Sequence, residues 1–322
     1  LLWLKPVAAA ALLLLVFGAN RLNRAVRGGG LAPRPGERAS LWMKLCLGLG
    51  KRYRATNLVA HPAGPGDDSA LPHLYLVAHY DSKSQPMPLP VRLALFVVAI
   101  GGGVVCAVLT LAGLALPIMN PAAAVSGIIA IVAGLPLLSL RADNDSPGAI
   151  DNGSSVGLVL HLAEVLSREV AVRQKLRLTL LIPSAEELSL MGAMAYVREH
   201  AEHMRREARG LYVLNFDGIG VRGKLAISET PKVRGGRLGD LVRAACAEAG
   251  LPLGRFGLPG VLFDHIPFAE RGLDAVSLIT LGRASVSVHT PQDSIYKLDV
   301  VGFLQAGLVA LKIVEKLAGR SV

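Results

Sequence analysis

Cysteine is scarce in this chain of 322 residues, with only Cys46, Cys106 and Cys246 present. They are odd in number and form no CxxC pair, so no disulfide framework is implied and none of the three is needed as a metal ligand. Charge is also thin: 18% of residues are charged, against 52% hydrophobic, with a mean hydropathy of +0.47. That balance is too apolar for an ordinary soluble enzyme and implies that part of the chain lies in lipid. Acidic residues are fewer than basic ones, 24 against 34, for a net charge of +10. No finger, RNP-like or basic-helix pattern accompanies the excess, so nucleic acid is not an expected partner. Much of the excess falls in one stretch, from Arg21, Arg24 and Arg27 to Lys51, Arg52 and Arg54, opposed only by Glu37. That stretch directly follows an apolar segment, as a membrane-flanking basic region does.

Three apolar segments stand out: 1–19, about 91–116 and about 121–140. Each is close to the roughly 20 residues that cross a bilayer as a helix. The first lacks a convincing A-x-A cleavage site and is followed at once by arginines, so it reads as an anchor and not as a secretory signal. The chain opens on Leu1, which leaves room for further membrane sequence upstream. The other two segments are joined by the uncharged turn Pro117-Ile-Met-Asn-Pro121 and read as a transmembrane hairpin; a buried hydrophobic helix pair or a dimer interface is the bland alternative. The expected organisation is an anchor (1–19), a basic juxtamembrane segment (20–55), a catalytic domain in two pieces (56–90 and 141–322) and an inserted hairpin (91–140).

Between and after these segments, strand-like and helix-like patterns alternate. Strands are expected at 74–78, 176–182, 211–216 and 275–281. Helices are expected at 156–168, 187–200, 238–249 and 300–317, the first opened by the helix-start residues Asn152, Gly153 and Ser154. Alternation of this kind predicts a layered α/β fold with a mainly parallel sheet. Binding sites in such folds form beyond the carboxyl ends of the strands.

Five residues of metal-ligand type occur in recognisable settings: His79 in AHYDS, Asp151 in GAIDNGSS, Glu187 in SAEEL, Asp217 in NFDG and His289 in VHTPQDS. Two imidazoles and three carboxylates suit a pair of divalent cations if one carboxylate bridges them, and such a pair suits hydrolysis by an activated water. Glu186, next to Glu187, is left to handle protons. Asp81 lies two residues from His79, placed to accept a hydrogen bond from the imidazole or to steady its loop. Each setting also has a plain structural reading: a capped strand end, an N-cap aspartate, or acids in a first helical turn favoured by the helix dipole. His61, His73, His161, His200 and His203 have no such setting and read as surface or packing residues.

Taken together, these segments resemble the co-catalytic zinc aminopeptidases of metallopeptidase family 28. The motifs that carry the resemblance are His79-Tyr-Asp81, Gly148-Ala-Ile-Asp-Asn-Gly-Ser-Ser155, Glu186-Glu187, Asp217 and His289-Thr-Pro-Gln-Asp293. They span about residues 56–90 and 141–322. The resemblance implies a three-layer α/β/α zinc-exopeptidase fold and two Zn2+ ions bridged by Asp151. One ion would add Glu187 and His289, the other His79 and Asp217. Glu186 would be the general base, Asp81 would support His79, and the substrate would be a peptide. Phe263-Asp-His-Ile-Pro-Phe268 resembles a family segment beside the pocket, with Asp264 and His265 as candidate supporting residues. Departures are Ser155 in place of a usual glycine, Leu-Ser-Leu-Met-Gly-Ala after the glutamate pair, and the inserted hairpin.

Two other functions stay open at this stage. His79-Tyr-Asp-Ser-Lys83 resembles the glutaminyl cyclase branch of the same fold, an acyltransferase using one zinc. A non-catalytic membrane protein on a peptidase fold is the third reading. The basic residues after segment 1–19, with Arg92 and Arg141 flanking the neutral turn, place the catalytic part on the cytoplasmic side.

Overall fold

The computed structural model describes residues 54–62, 71–139, 142–207, 210–231, 236–258 and 261–319. The apolar segment 1–19 and nearly all of the basic stretch lie outside these. Seven strands are present: β1 (Leu58–Ala60), β2 (His73–Val77), β3 (Arg177–Ile182), β4 (Leu211–Asp217), β5 (Lys224–Glu229), β6 (Leu253–Arg255) and β7 (Asp274–Leu281). The helices are α1 (Leu89–Ala112), α2 (Asn120–Gly134), α3 (Ser154–Arg168), α4 (Val170–Arg173), α5 (Met191–Glu199), α6 (Ala201–Glu207), α7 (Arg237–Glu248), α8 (His265–Ala269) and α9 (Val300–Leu317).

The strands form one sheet in the order β1-β3-β2-β4-β7-β5-β6. The four central strands β3, β2, β4 and β7 run parallel; β1 and β5 join antiparallel to their central neighbours. Side chains alternate across the sheet. Leu74 and Leu76 of β2 and Tyr212, Leu214 and Phe216 of β4 join one apolar cluster with α3, α7 and α9. Tyr75, Val77, Leu211 and Val213 join a second cluster with α5 and α8. Helices thus cover both faces, the arrangement that makes β2 a continuous buried apolar run. The three-layer expectation is met.

One helix start and three strands differ from the sequence reading. The helix expected from Glu187 begins only at Met191, because Ala185, Ser189 and Leu190 take left-handed φ of 55°, 73° and 63°. Strands β1, β5 and β6 were not read from the sequence. Two of them are only three residues long, too short to show a period of two.

Residues 84–143 gather into a compact unit of their own, apart from the unit that holds the sheet. Ser84 and Asp143 exchange backbone hydrogen bonds of 2.7 and 3.0 Å that close its neck. Helices α1 and α2 meet through small residues. A Cβ on Gly102 would lie 3.2 Å from the Ala130 methyl, and one on Gly127 would lie 3.1 Å from the Cys106 Sγ. The large side chains point outward instead: Val97, Ile100, Val104, Ile128 and Ile131 are all more than half exposed. Leu89–Ala112 and Pro117–Leu137 are long and apolar enough to cross a membrane, by length and composition.

Candidate metal centre

The register of the sheet explains why the ligand-type residues meet. Val77 of β2 pairs with Asn215 of β4, so the chain two residues further on places His79 level with Asp217. Their Nε2 and Oδ2 atoms lie 3.6 Å apart. Strand β3, on the other side of β2, leads into Glu186 and Glu187, and β7, beside β4, leads into His289. Four adjacent parallel strands therefore deliver their following loops to one edge, the place where ligands bind in open α/β sheets.

Asp151 arrives from the turn before α3 and stands between the two imidazoles. Its Oδ1 lies 3.2 Å from His79 Nε2 and its Oδ2 lies 3.1 Å from His289 Nε2. His289 Nε2 is also 2.9 Å from Glu187 Oε1. Glu186 Oε2 is 3.9 Å from His79 Nε2. Two groups of donor atoms result, each able to hold one ion: His79, Glu186 and Asp217, and Asp151, Glu187 and His289. The second group matches the expected partition. The first replaces bridging Asp151 with Glu186, although Asp151 is the nearer carboxylate to His79.

The donor set fits divalent cations on its own chemistry. His79 Nε2, Asp151 Oδ1 and Glu187 Oε1 are buried and make no hydrogen bond, although they face other members of the cluster. Buried polar atoms of this kind are rare unless another species satisfies them. His79 Nδ1 lies 3.0 Å from the Asp81 carbonyl oxygen, an acceptor only, so Nδ1 carries the proton and Nε2 presents its lone pair in the neutral ring. Imidazole nitrogen with carboxylate oxygen is a zinc-type ligand set.

The surrounding loops are held by two further acids. The Asp81 carboxylate accepts the backbone N–H groups of Glu186 and Glu187, at 3.1 and 3.2 Å. It stands 3.7 Å from His79 Nδ1, so its grip is on the glutamate turn and its carbonyl orients the imidazole. Asp293 accepts the N–H groups of Ile150 and Asp151, at 2.6 and 3.2 Å. Asn152 donates to the Phe216 carbonyl and accepts from Gly218 N, each at 3.1 Å, clasping the chain on both sides of Asp217. Asn152 is therefore a clamp on β4, and α3 starts at Ser154. His289 has φ of 63°, so all four non-glycine residues with positive φ among the described residues lie in the loops that carry the cluster. Such backbone costs on the order of 1–3 kcal/mol per residue and persists only where its surroundings hold it.

With protein groups alone, this crowding moves protons. Burial disfavours a charged His79 and His289, but the carboxylates beside them prevail: His79 rises well above its usual value and His289 to about 9. Asp151 is pulled well down by both imidazoles despite its burial. Burial pushes Glu186 well up, helped by Asp264, Asp217 and Glu187. Burial and Asp151 raise Asp217 to about 6.

Asp264 is fully buried, and burial with Asp217, Asp81 and Glu187 nearby raises it to about 7. It belongs to the charged surroundings of the cluster. His265 falls in neither donor group: its Nδ1 is 2.6 Å from Ser277 Oγ, Asn215 Nδ2 donates to the same hydroxyl at 2.9 Å, and burial lowers the imidazole to about 3. His73 is likewise a packing residue, 2.8 Å from Thr179 Oγ1. The sequence reading gave Asn152 only a helix-start role and gave Asp293 and Lys83 none, although all three lie inside quoted motifs. An acid or amide close in sequence to each ligand was the available signal.

The fold and this cluster define an α/β protein with two groups of metal-ligand-type side chains gathered beyond its strand ends. The chain belongs to peptidase family M28, whose sequence pattern matches residues 57–314. It is similar to aminopeptidase YwaD of Bacillus subtilis (strain 168), 30% identical over 178 residues, covering 53% of this chain and 38% of that protein. The fold is shared with BSAP, a zinc aminopeptidase from Bacillus subtilis, at 22% identity and a TM-score of 0.53. That match covers 81% of this chain and 49% of that one. It is shared equally with a glutaminyl cyclase of an Acidobacteriales bacterium, at 17% identity and a TM-score of 0.53, over 83% and 75% of the two chains. The chain thus spans about half or less of the length of these two aminopeptidases.

Proposed function

We propose that this chain hydrolyses peptide bonds as an aminopeptidase, with two zinc ions held by His79, Asp151, Glu187, Asp217 and His289. The observation that carries this reading is Asp151, whose two oxygens face different imidazoles at 3.2 and 3.1 Å. A bridging carboxylate has that geometry. Asp217 joins His79 on one side, and Glu187 joins His289 on the other.

The ions would supply a water acidified toward neutrality and polarisation of the scissile carbonyl. The chain's own residues do the rest. Glu186, which also falls in the first donor group with its Oε2 3.9 Å from His79 Nε2, serves as general base, taking a proton from water and returning it to the departing amine. Asp81 fixes the turn bearing Glu186 and Glu187, and Asp293 fixes the turn bearing Asp151.

A second reading, cyclisation of an N-terminal glutamine, draws on the resemblance of His79-Tyr-Asp-Ser-Lys83 to the cyclase branch and on the fold shared with a glutaminyl cyclase. The two readings part on product. Incubation with free-amine, N-blocked and N-terminal glutaminyl peptides, with and without chelator, separates them. Chelator-sensitive release of amino acids from free-amine peptides alone supports the aminopeptidase; pyroglutamyl product without cleavage would overturn it. We further place α1 and α2 across a bilayer, with the sheet-bearing unit on the cytoplasmic face by the distribution of basic residues. Protease protection in sealed vesicles of known orientation tests that placement.

A further inference from the structure

Glu187 has a divided carboxylate. Its Oε1 is buried, makes no hydrogen bond and lies 2.9 Å from His289 Nε2. Its Oε2 lies 2.7 Å from Lys83 Nζ, and the same nitrogen is 3.5 Å from the Glu187 carbonyl oxygen. Both side chains are mostly buried, Lys83 being 20% exposed and Glu187 6%, so this pair is little screened by solvent. Lys83 leaves the chain four residues after His79, and Glu187 is held from its other end by Asp81. The carboxylate is thus fixed at its backbone and at one oxygen.

We propose that Lys83 is a positioning residue that makes Glu187 a one-oxygen ligand. A carboxylate free to rotate can offer an ion either one oxygen or both. Here the ammonium occupies Oε2, and only Oε1 faces the space shared with Asp151 and His289. The consequence is a coordination position on that ion which Glu187 does not fill and which a water or a substrate oxygen can take. A catalytic zinc site needs such a position. The assignment rests on the metal reading given above and goes beyond it, since it names what keeps one ligand monodentate.

The test uses the full chain in detergent, loaded with cobalt(II), with X-ray absorption and visible spectra recorded for the parent, Lys83→Met and Lys83→Arg. The expected result is a gain of oxygen neighbours around cobalt in Lys83→Met, with weaker visible absorption as coordination number rises, and return of both to the parent values in Lys83→Arg. Activity should fall about tenfold in Lys83→Met, through kcat more than KM, in line with loss of a residue behind a metal ligand. Should Lys83→Met not fold, Lys83→Leu, which likewise offers Oε2 no donor, carries the same expectation. Spectra of the uncharged variants identical to the parent would overturn the assignment, leaving Lys83 as a structural ion pair. A parent chain that takes up no cobalt would overturn the metal reading itself, and the assignment with it.

Discussion

The two units of this chain distribute polarity in opposite ways. In the sheet-bearing unit, large apolar side chains fill two buried layers, and six titratable side chains crowd into the ends of the central strands. In the hairpin, glycine, alanine and serine lie between the helices, and the valines and isoleucines face outward. One arrangement suits water outside and a polar site within; the other suits hydrocarbon outside, where helices gain by close backbone approach through small residues. The difference teaches that a single mean hydropathy describes neither unit.

The comparison is attacked most strongly at Glu186. Glu186→Gln is expected to cut kcat about 10²–10⁴-fold while the metal content is retained, because only proton transfer is lost. Wild-type-like turnover would remove the base from the account. Next in size is an outward charge on the hairpin. Val104→Arg or Ile128→Arg is expected to cost about 2.5–3.5 kcal/mol of insertion at a helix centre. Alkaline extraction of membranes measures it, and a variant retained as firmly as the parent would show that these faces do not meet lipid.

A smaller effect is expected of the two acids that hold the loops. Asp81→Asn and Asp293→Asn each leave one acceptor oxygen where two N–H groups need one each. Metal affinity or activity should drop about 10–100-fold, read by competition with a chelating dye. An unchanged affinity in both would mean that the turns hold themselves.

The smallest effect is the pH dependence of the chelator-treated chain. His289 is raised from 6.5 to about 9, so its stabilising share is complete below pH 6.5 and lost as pH climbs through 9. Asp217 and Asp264, raised from 3.8 to about 6 and about 7, favour the fold when protonated, and that share is lost as pH rises from 3.8. All three have the same sign and outweigh His265, whose lowering to about 3 adds stability as pH rises to 6.5, so the Tm of the metal-free chain should fall by several degrees between pH 5 and 9. Metal binding has the opposite trend, since ions must displace protons from both imidazoles, and affinity should rise over that range. Thermal scans with and without zinc check both, and a metal-free Tm that rises with pH would contradict the charge assignment.

Much of this was legible in the sequence, for reasons that can be named. Central strands such as β2 and β4 are buried on both faces and show as unbroken apolar runs, which is why His79 and Asp217 stood out at their ends. Asp151, Glu187 and His289 were marked by motifs rather than by any periodicity. The edge strands β1 and β6 were silent because three residues carry no pattern. The late start of α5 was hidden as well: nothing local in Glu-Glu-Leu-Ser-Leu announces left-handed backbone at Ser189 and Leu190, just after the Glu186 N–H that the Asp81 carboxylate binds from 105 residues away. Lys83 and Asp293 escaped for the same reason, since their partners are distant in sequence and only the folded sheet brings them together.

The bridging role of Asp151 is the centre of the account, and metal content tests it most directly. The detergent-purified chain, dialysed against zinc and then metal-free buffer, should hold about two zinc ions, and Asp151→Ala should lose both together. Two ions retained by Asp151→Ala, or a parent that never holds more than one, would contradict a shared carboxylate between two metals.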